Sequence, residues 1–155
     1  MRIMEFLNTK AINLDLRSKD KEGVIKELVE LLVRSGDVKQ KIEDKIIKIL
    51  LDREALGSTG IGQGVAIPHG KSDCVDRLTC VLGVSKKGVD FDSLDGEPSY
   101  IFFLLVTPEE TPGPHLKALA RISRLLKDKF IRDSLRNAKD VQEIIKLIQQ
   151  EDDRK

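Results

Sequence analysis

The run IFFLLV, Ile101 to Val106, is six apolar residues without a polar interruption, and no other stretch limits the fold as much. It is far shorter than the roughly 18 to 20 residues of a bilayer span. A strand with one wet face would alternate apolar and polar residues, so this run reads as a central strand with both faces buried. Covering both faces takes helices on each side of a sheet, and the chain has candidates before and after the run. In KEGVIKELVELLVRSG (21–36) the residues Val24, Ile25, Leu28, Leu31 and Leu32 follow helical spacing, and Gly36 supplies the stop. KIEDKIIKILLDRE (41–54) places Ile42, Ile46, Ile49 and Leu50 on one face of a second helix. VAIP (65–68), RLTCVLGVS (77–85) and SYIFFLLV (99–106) read as strands, a minimum of three. TPEETPGP then breaks the pattern, and HLKALARISRLLKDKF (115–130) predicts a helix with Leu116, Leu119, Ile122 and Leu126 inward. DVQEIIKLIQQ (140–150) predicts a last helix with Asp140 as N-cap and Glu143 completing a capping box. Helices on either side of a strand block give a one-domain α/β fold whose sheet is covered on both faces.

Composition narrows the partners. A chain of 155 residues buries about 70% of its unfolded surface and needs neither disulfide nor metal to fold. The 27 basic and 26 acidic residues give a formal charge of +1, and aromatics make up 4% with no Trp. There is thus no polybasic field and no stacking platform for nucleic acid. MRIMEFLN lacks the apolar region of a signal peptide, and Cys74 and Cys80 fit free thiols in a reducing compartment. The expectation is a cytoplasmic protein with no membrane insertion.

The stretch GSTGIGQGVAIPHGK (57–71) holds Gly57, Gly60, Gly62, Gly64 and Gly70, five of the chain's eleven glycines. Its HGKS ending would match a P-loop only with glycine where Val65 stands, and a dinucleotide fingerprint needs a strand before it and a helix after it, the reverse of the order here. His69, Cys74, Cys80 and His115 are zinc-ligand types, but no paired spacing supports a zinc site. His69 itself remains as a reactive group. A neutral imidazole can attack phosphorus through one nitrogen while the other is held by a hydrogen bond. A phosphoryl group on it would need donors, for which the amides of the glycine turns, the hydroxyls of Ser58 and Thr59, and the cation of Arg53 or Lys71 are candidates. Pro68 stiffens the approach by fixing its own φ. The competing reading is that the glycines only make turns and His69 caps a strand.

REALGSTGIGQGVAIPHGK together with FDSLDGEPSYIFFLLVTPEETPGPHLKALARISRLL closely resembles the fructose/mannitol-type enzyme IIA family of the bacterial phosphoenolpyruvate-dependent sugar phosphotransferase system. The likeness runs from LNTKAINLDL to the last helix, so residues 1–155 are expected to be one enzyme IIA type 2 domain. Gln63 departs from the asparagine more familiar in the family. The resemblance implies a three-layer α/β/α sandwich around a small mixed sheet, with a crossover of the unusual left hand. It implies that His69 accepts a phosphoryl group from the phosphocarrier protein HPr and passes it to a IIB component, and through that to a membrane permease. His115 matches the second active-site histidine, Arg53 matches the arginine before the loop, and Ser58, Thr59, Gly60, Gly62, Gly64 and Gly70 are expected around the phosphate. Transfer between histidines asks for alignment and charge stabilisation, with no metal or cofactor required. His69 is expected in a shallow apolar depression, and Leu56, Ile61 and Val65 are candidates either for its rim or for the core. The transport reading names a fructose-type IIB as acceptor. The alternative is the nitrogen-regulatory branch, where the phosphorylation state of His69 governs binding to other proteins. The loop and both histidines occur in either.

Overall fold

The computed structural model describes residues 1–110 and 112–154. Along the chain lie β1 (Leu7–Asn13), α1 (Lys21–Arg34), α2 (Glu43–Ala55), β2 (Gly60–Gly62), β3 (Val65–Ala66), β4 (His69–Ser72), β5 (Thr79–Val89), β6 (Ser99–Pro108), α3 (Pro112–Leu125), α4 (Lys129–Asn137) and α5 (Val141–Asp153). The strands form one mixed sheet in the order β1-β5-β6-β3-β2, with β4 also on β6. β5 and β6 are antiparallel, with Leu82 opposite Phe103, while β1 runs parallel to β5. β3 and β4 both run parallel to β6, at Ile101–Phe102 and Leu105–Pro108 respectively.

The IFFLLV run is the sheet's centre because each face of β6 feeds a separate core. Phe102, Leu104 and Val106 pack with α1 and α2, including Val24, Leu28, Leu32, Ile46 and Leu50. Ile101, Phe103 and Leu105 pack with Ala118, Ile122, Ile131, Leu135, Ile144 and Ile148 of α3, α4 and α5. All six residues of the run are buried, which no single-layer arrangement could achieve. The result is the expected three-layer α/β/α sandwich.

Several expectations change in detail. VAIP is not one strand: Pro68 has no N–H for a ladder, so β3 stops at Ala66 and β4 starts at His69. The Pro68 carbonyl still accepts from Leu105 N at 2.9 Å, which keeps the two pieces in line along β6. β1, β2 and β4 are strands beyond the three predicted; β2 and β4 are only three and four residues long, and the polar residues of LNTKAIN hide the strand character of β1. The predicted helix 115–130 is two helices. α3 ends at Leu125, and Asp128 caps α4 by accepting from Phe130 N at 2.8 Å. Because α3 begins at Pro112, its inward stripe is His115, Ala118, Ile122 and Leu125, and Leu116 points out at 64% exposure rather than inward. In α5, Asp140 accepts from Glu143 N at 2.9 Å as expected, while the Glu143 carboxylate accepts from Lys139 N, one residue earlier than a capping box would place it.

Candidate functional site

His69 opens β4, opposite Leu105 of β6. From there β6 runs to Pro108, and α3 begins at Pro112 with His115 in its first turn. The sheet register and this short connection bring the chain's two histidines to ring centroids 5.2 Å apart, tilted by 54°. His69 is half-buried and His115 is buried at 6% exposure.

The His69 Nδ1 lies 2.7 Å from the Ile67 carbonyl oxygen. A carbonyl can only accept, so Nδ1 carries the proton and Nε2 keeps its lone pair. Burial pushes the His69 pKa below the ordinary 6.5; the Ile67 carbonyl opposes that shift, Arg53 adds to it and Glu54 opposes it. Burial, with smaller contributions from the His69 and Lys71 charges, brings His115 down to about 4. The pair is therefore neutral at pH 7, and the Nδ1 of His115 is buried with no hydrogen-bond partner among the described residues. An orphaned buried nitrogen of this kind is uncommon, and it leaves His115 able to bond an incoming group. Between the unfolded pKa of 6.5 and the folded value of about 4 the unfolded chain binds more protons, so His115 lowers stability as pH falls through that window and has no such effect above it. We expect the His115 ring resonances to titrate near pH 4 in two-dimensional NMR. Titration near 6.5 would show that the ring is solvated.

The other predicted residues divide into two groups. Arg53, half-buried in the last turn of α2, donates from Nη1 to the Gly57 carbonyl at 2.8 Å, and its charge is felt at His69. Lys71 is exposed on β4, and its charge is felt at His115. The hydroxyls of Ser58 and Thr59 are already committed. Ser58 Oγ donates to the Phe91 carbonyl at 2.6 Å, and Thr59 Oγ1 donates to the Glu54 carboxylate. Most amides of the loop are likewise engaged within the protein: Gly57 N on the Glu54 carbonyl, Thr59 N on the Glu54 side chain, and Gly60 N on Ser58 Oγ. Gly62, Gln63 and Gly64 have φ of 98°, 59° and 79° and turn β2 into β3, with Gln63 N held by Asp95 at 2.9 Å. Gly70 lies under α2, where a Cβ would stand 3.0 Å from Ile49 Cγ2. The glycines thus shape the tight backbone that carries His69.

Of the three residues named for the rim or the core, Leu56 and Ile61 are exposed at 86% and 46%, and Val65 is buried at 1% in the core on the α3–α5 side. Leu116, one residue after His115, is a further exposed apolar side chain. Cys74 is exposed and Cys80 is buried among the core residues of the α3–α5 side. Among the described residues no three His, Cys, Asp or Glu side chains come together as a metal group, and no helix is long and apolar enough to cross a membrane. The residue missed from the sequence is Glu54, buried at 7%. A signal for it was available, because it lies four positions after Leu50 and eight after Ile46, on the buried face of α2.

The model of the family described as "Phosphoenolpyruvate-dependent sugar phosphotransferase system, EIIA 2" matches residues 5–151. The "PTS system fructose-specific EIIABC component" of Bacillus subtilis is 41% identical over 98% of this chain, which spans only 24% of that protein's length. The "Nitrogen regulatory protein" of Bradyrhizobium diazoefficiens is 36% identical over 96% of this chain and 95% of its own. The crystal structure of nitrogen regulatory protein IIA-Ntr from Neisseria meningitidis superposes with a TM-score of 0.86 at 34% identity, covering 94% of this chain and 98% of that one. Fold, paired histidines and these likenesses agree: the chain belongs to the EIIA 2 family of the phosphoenolpyruvate-dependent sugar phosphotransferase system.

Proposed function

We propose that this chain is a cytoplasmic phosphocarrier that accepts a phosphoryl group from an HPr-type protein on Nε2 of His69 and passes it to a fructose-type IIB component. The observation that carries the reading is the state of His69: its Nδ1–H is held by Ile67 and its Nε2 is unprotonated. The lone pair of Nε2 forms the new P–N bond as the P–N bond to the donor histidine breaks, and on delivery that P–Nε2 bond breaks as phosphorus bonds to the acceptor side chain of IIB. The Nδ1 proton stays in place throughout. As the ring gains positive character, its bond to the Ile67 carbonyl strengthens. Three groups are assigned to the oxygens of the transferring phosphoryl: His115 through a ring N–H, Arg53, and Lys71 as a more distant charge. The first turn of α3 adds the positive end of a helix dipole. Ser58, Thr59 and the glycines act at one remove, by fixing the loop. Leu56, Ile61 and Leu116 form the apolar surface against which a partner's reactive side chain is brought to His69.

The regulatory reading is kept because nitrogen regulatory relatives match this chain over nearly their whole length. There the partner distinguishes the two states by the roughly two negative charges that phosphorylation adds at His69. Charging the chain with labelled phosphate from phosphorylated HPr and adding a fructose-type IIB from the same organism separates the two. Discharge within seconds to minutes is the expected result. No discharge, together with a protein retained by His69→Ala but not by the phosphorylated chain, replaces the transport reading with the regulatory one.

A further inference from the structure

Glu54 is a carboxylate on the buried face of α2, its side chain only 3% exposed. Three donors meet it: Thr59 N at 3.1 Å, the Thr59 hydroxyl, and Lys21 Nζ at 3.1 Å. Lys21 opens α1, lies over the Phe91 ring at 4.9 Å, and also reaches Asp92 at 3.4 Å. The start of α1, the end of α2 and the segment 91–92 therefore converge on one buried anion, and the residue this anion fixes is Thr59. The chain of contacts continues. The Thr59 carbonyl accepts from Ile67 N at 3.0 Å, and the Ile67 carbonyl is the one that accepts from His69 Nδ1 at 2.7 Å.

We propose that Glu54 is the positioning residue of His69, acting through Thr59 and Ile67 to fix the ring and to keep its proton on Nδ1. The proposal rests on the reading of His69 as the phosphoryl acceptor. A carboxylate suits the task because it accepts several donors at once, and a buried one is held rigidly by them. It also suits the ring, since its charge at His69 opposes that of Arg53. Once Glu54 is removed, the Thr59 N–H and hydroxyl are left buried without an acceptor and the loop shifts to find one. Displacement of a reacting atom by about 1 Å is enough to slow transfer on the order of 10²-fold.

The test compares Glu54→Ala, Glu54→Gln and Thr59→Val with the unaltered chain, reading the His69 tautomer from ring nitrogen shifts and phosphate uptake from phosphorylated HPr. Ile46→Val, on the same helix face, controls for mild destabilisation. We expect the unaltered chain and the control to show His69 protonated on Nδ1 alone. Glu54→Ala should show mixed tautomers, a lower His69 titration midpoint and uptake slowed about 10²-fold. Glu54→Gln keeps an acceptor for Thr59 N and should return toward the unaltered values, and Thr59→Val should fall between. Should Glu54→Ala fail to fold, Thr59→Val decides by the same readouts. A pure Nδ1–H tautomer with undiminished uptake in the variants overturns the proposal. If the unaltered chain takes up no phosphate, the phosphocarrier reading fails, and the tautomer measurement still decides the role of Glu54.

Discussion

His69→Gln is expected to take up no phosphate from phosphorylated HPr while melting close to the unaltered chain. Glutamine can keep a polar atom near the ring position, but an amide nitrogen shares its lone pair with the carbonyl and does not attack phosphorus. The loss should therefore be complete rather than partial. Stability should barely change, because His69 contributes its backbone to the β4–β6 ladder, and glutamine preserves that ladder. The ring's bond to Ile67 is lost, at about 0.5 to 1.5 kcal/mol. Intact-protein mass spectrometry after incubation with phosphorylated HPr gives the answer. The unaltered chain should gain one phosphoryl group that is released by acid and retained in alkali, and the variant should gain none. Undiminished incorporation into His69→Gln would reject the acceptor assignment and move attention to His115.

Phe102→Ala is expected to bring the largest loss of stability and to reach the site through the fold. Phe102 is fully buried on the α1–α2 face of β6 and meets Phe91 edge-on, with centroids 5.4 Å apart at 61°. Truncation there removes the transfer free energy of the ring and leaves a cavity between a strand and two helices that cannot close, at a cost of about 3 to 5 kcal/mol. Against a total of about 5 to 15 kcal/mol this is a large share, and for a chain of this length it lowers the melting temperature by roughly 6 to 20 °C. The Phe91 carbonyl is the acceptor for Ser58 Oγ, and Ala66 of β3 sits opposite Phe102. Both anchors of the glycine loop loosen together, so phosphate uptake should slow even at temperatures where the variant is folded. Thermal unfolding by circular dichroism and uptake at a low temperature test the two effects. A loss under about 1 kcal/mol would mean that the core closes over the truncated side chain far better than cores of this density do.

The layers of this protein, and His69 as the candidate reacting group, are legible in the sequence alone. The IFFLLV run had to be central because an uninterrupted apolar strand is stable only between two covering layers, and the periodicities of 21–36, 41–54 and 140–150 supplied those layers. Such patterns are local, set by the rise and turn of a single element. His69 stood out because its glycine-rich surroundings have few other uses, and the family resemblance covered nearly the whole chain. The remainder depended on the assembled fold, wherever a residue's role rests on a neighbour remote in sequence. Packing on β6, with the start at Pro112, fixes the phase of α3 and so turns Leu116 outward. The sheet buried Val65 in the core and split VAIP where Pro68 had no donor for the ladder. The hydroxyls of Ser58 and Thr59 went to Phe91 and Glu54, partners that no spacing rule connects. Finally, the register of β4 on β6 and the turn into α3 brought His115 to His69 and left both neutral, since a pKa is set by the burial and charges that three dimensions assemble around a ring.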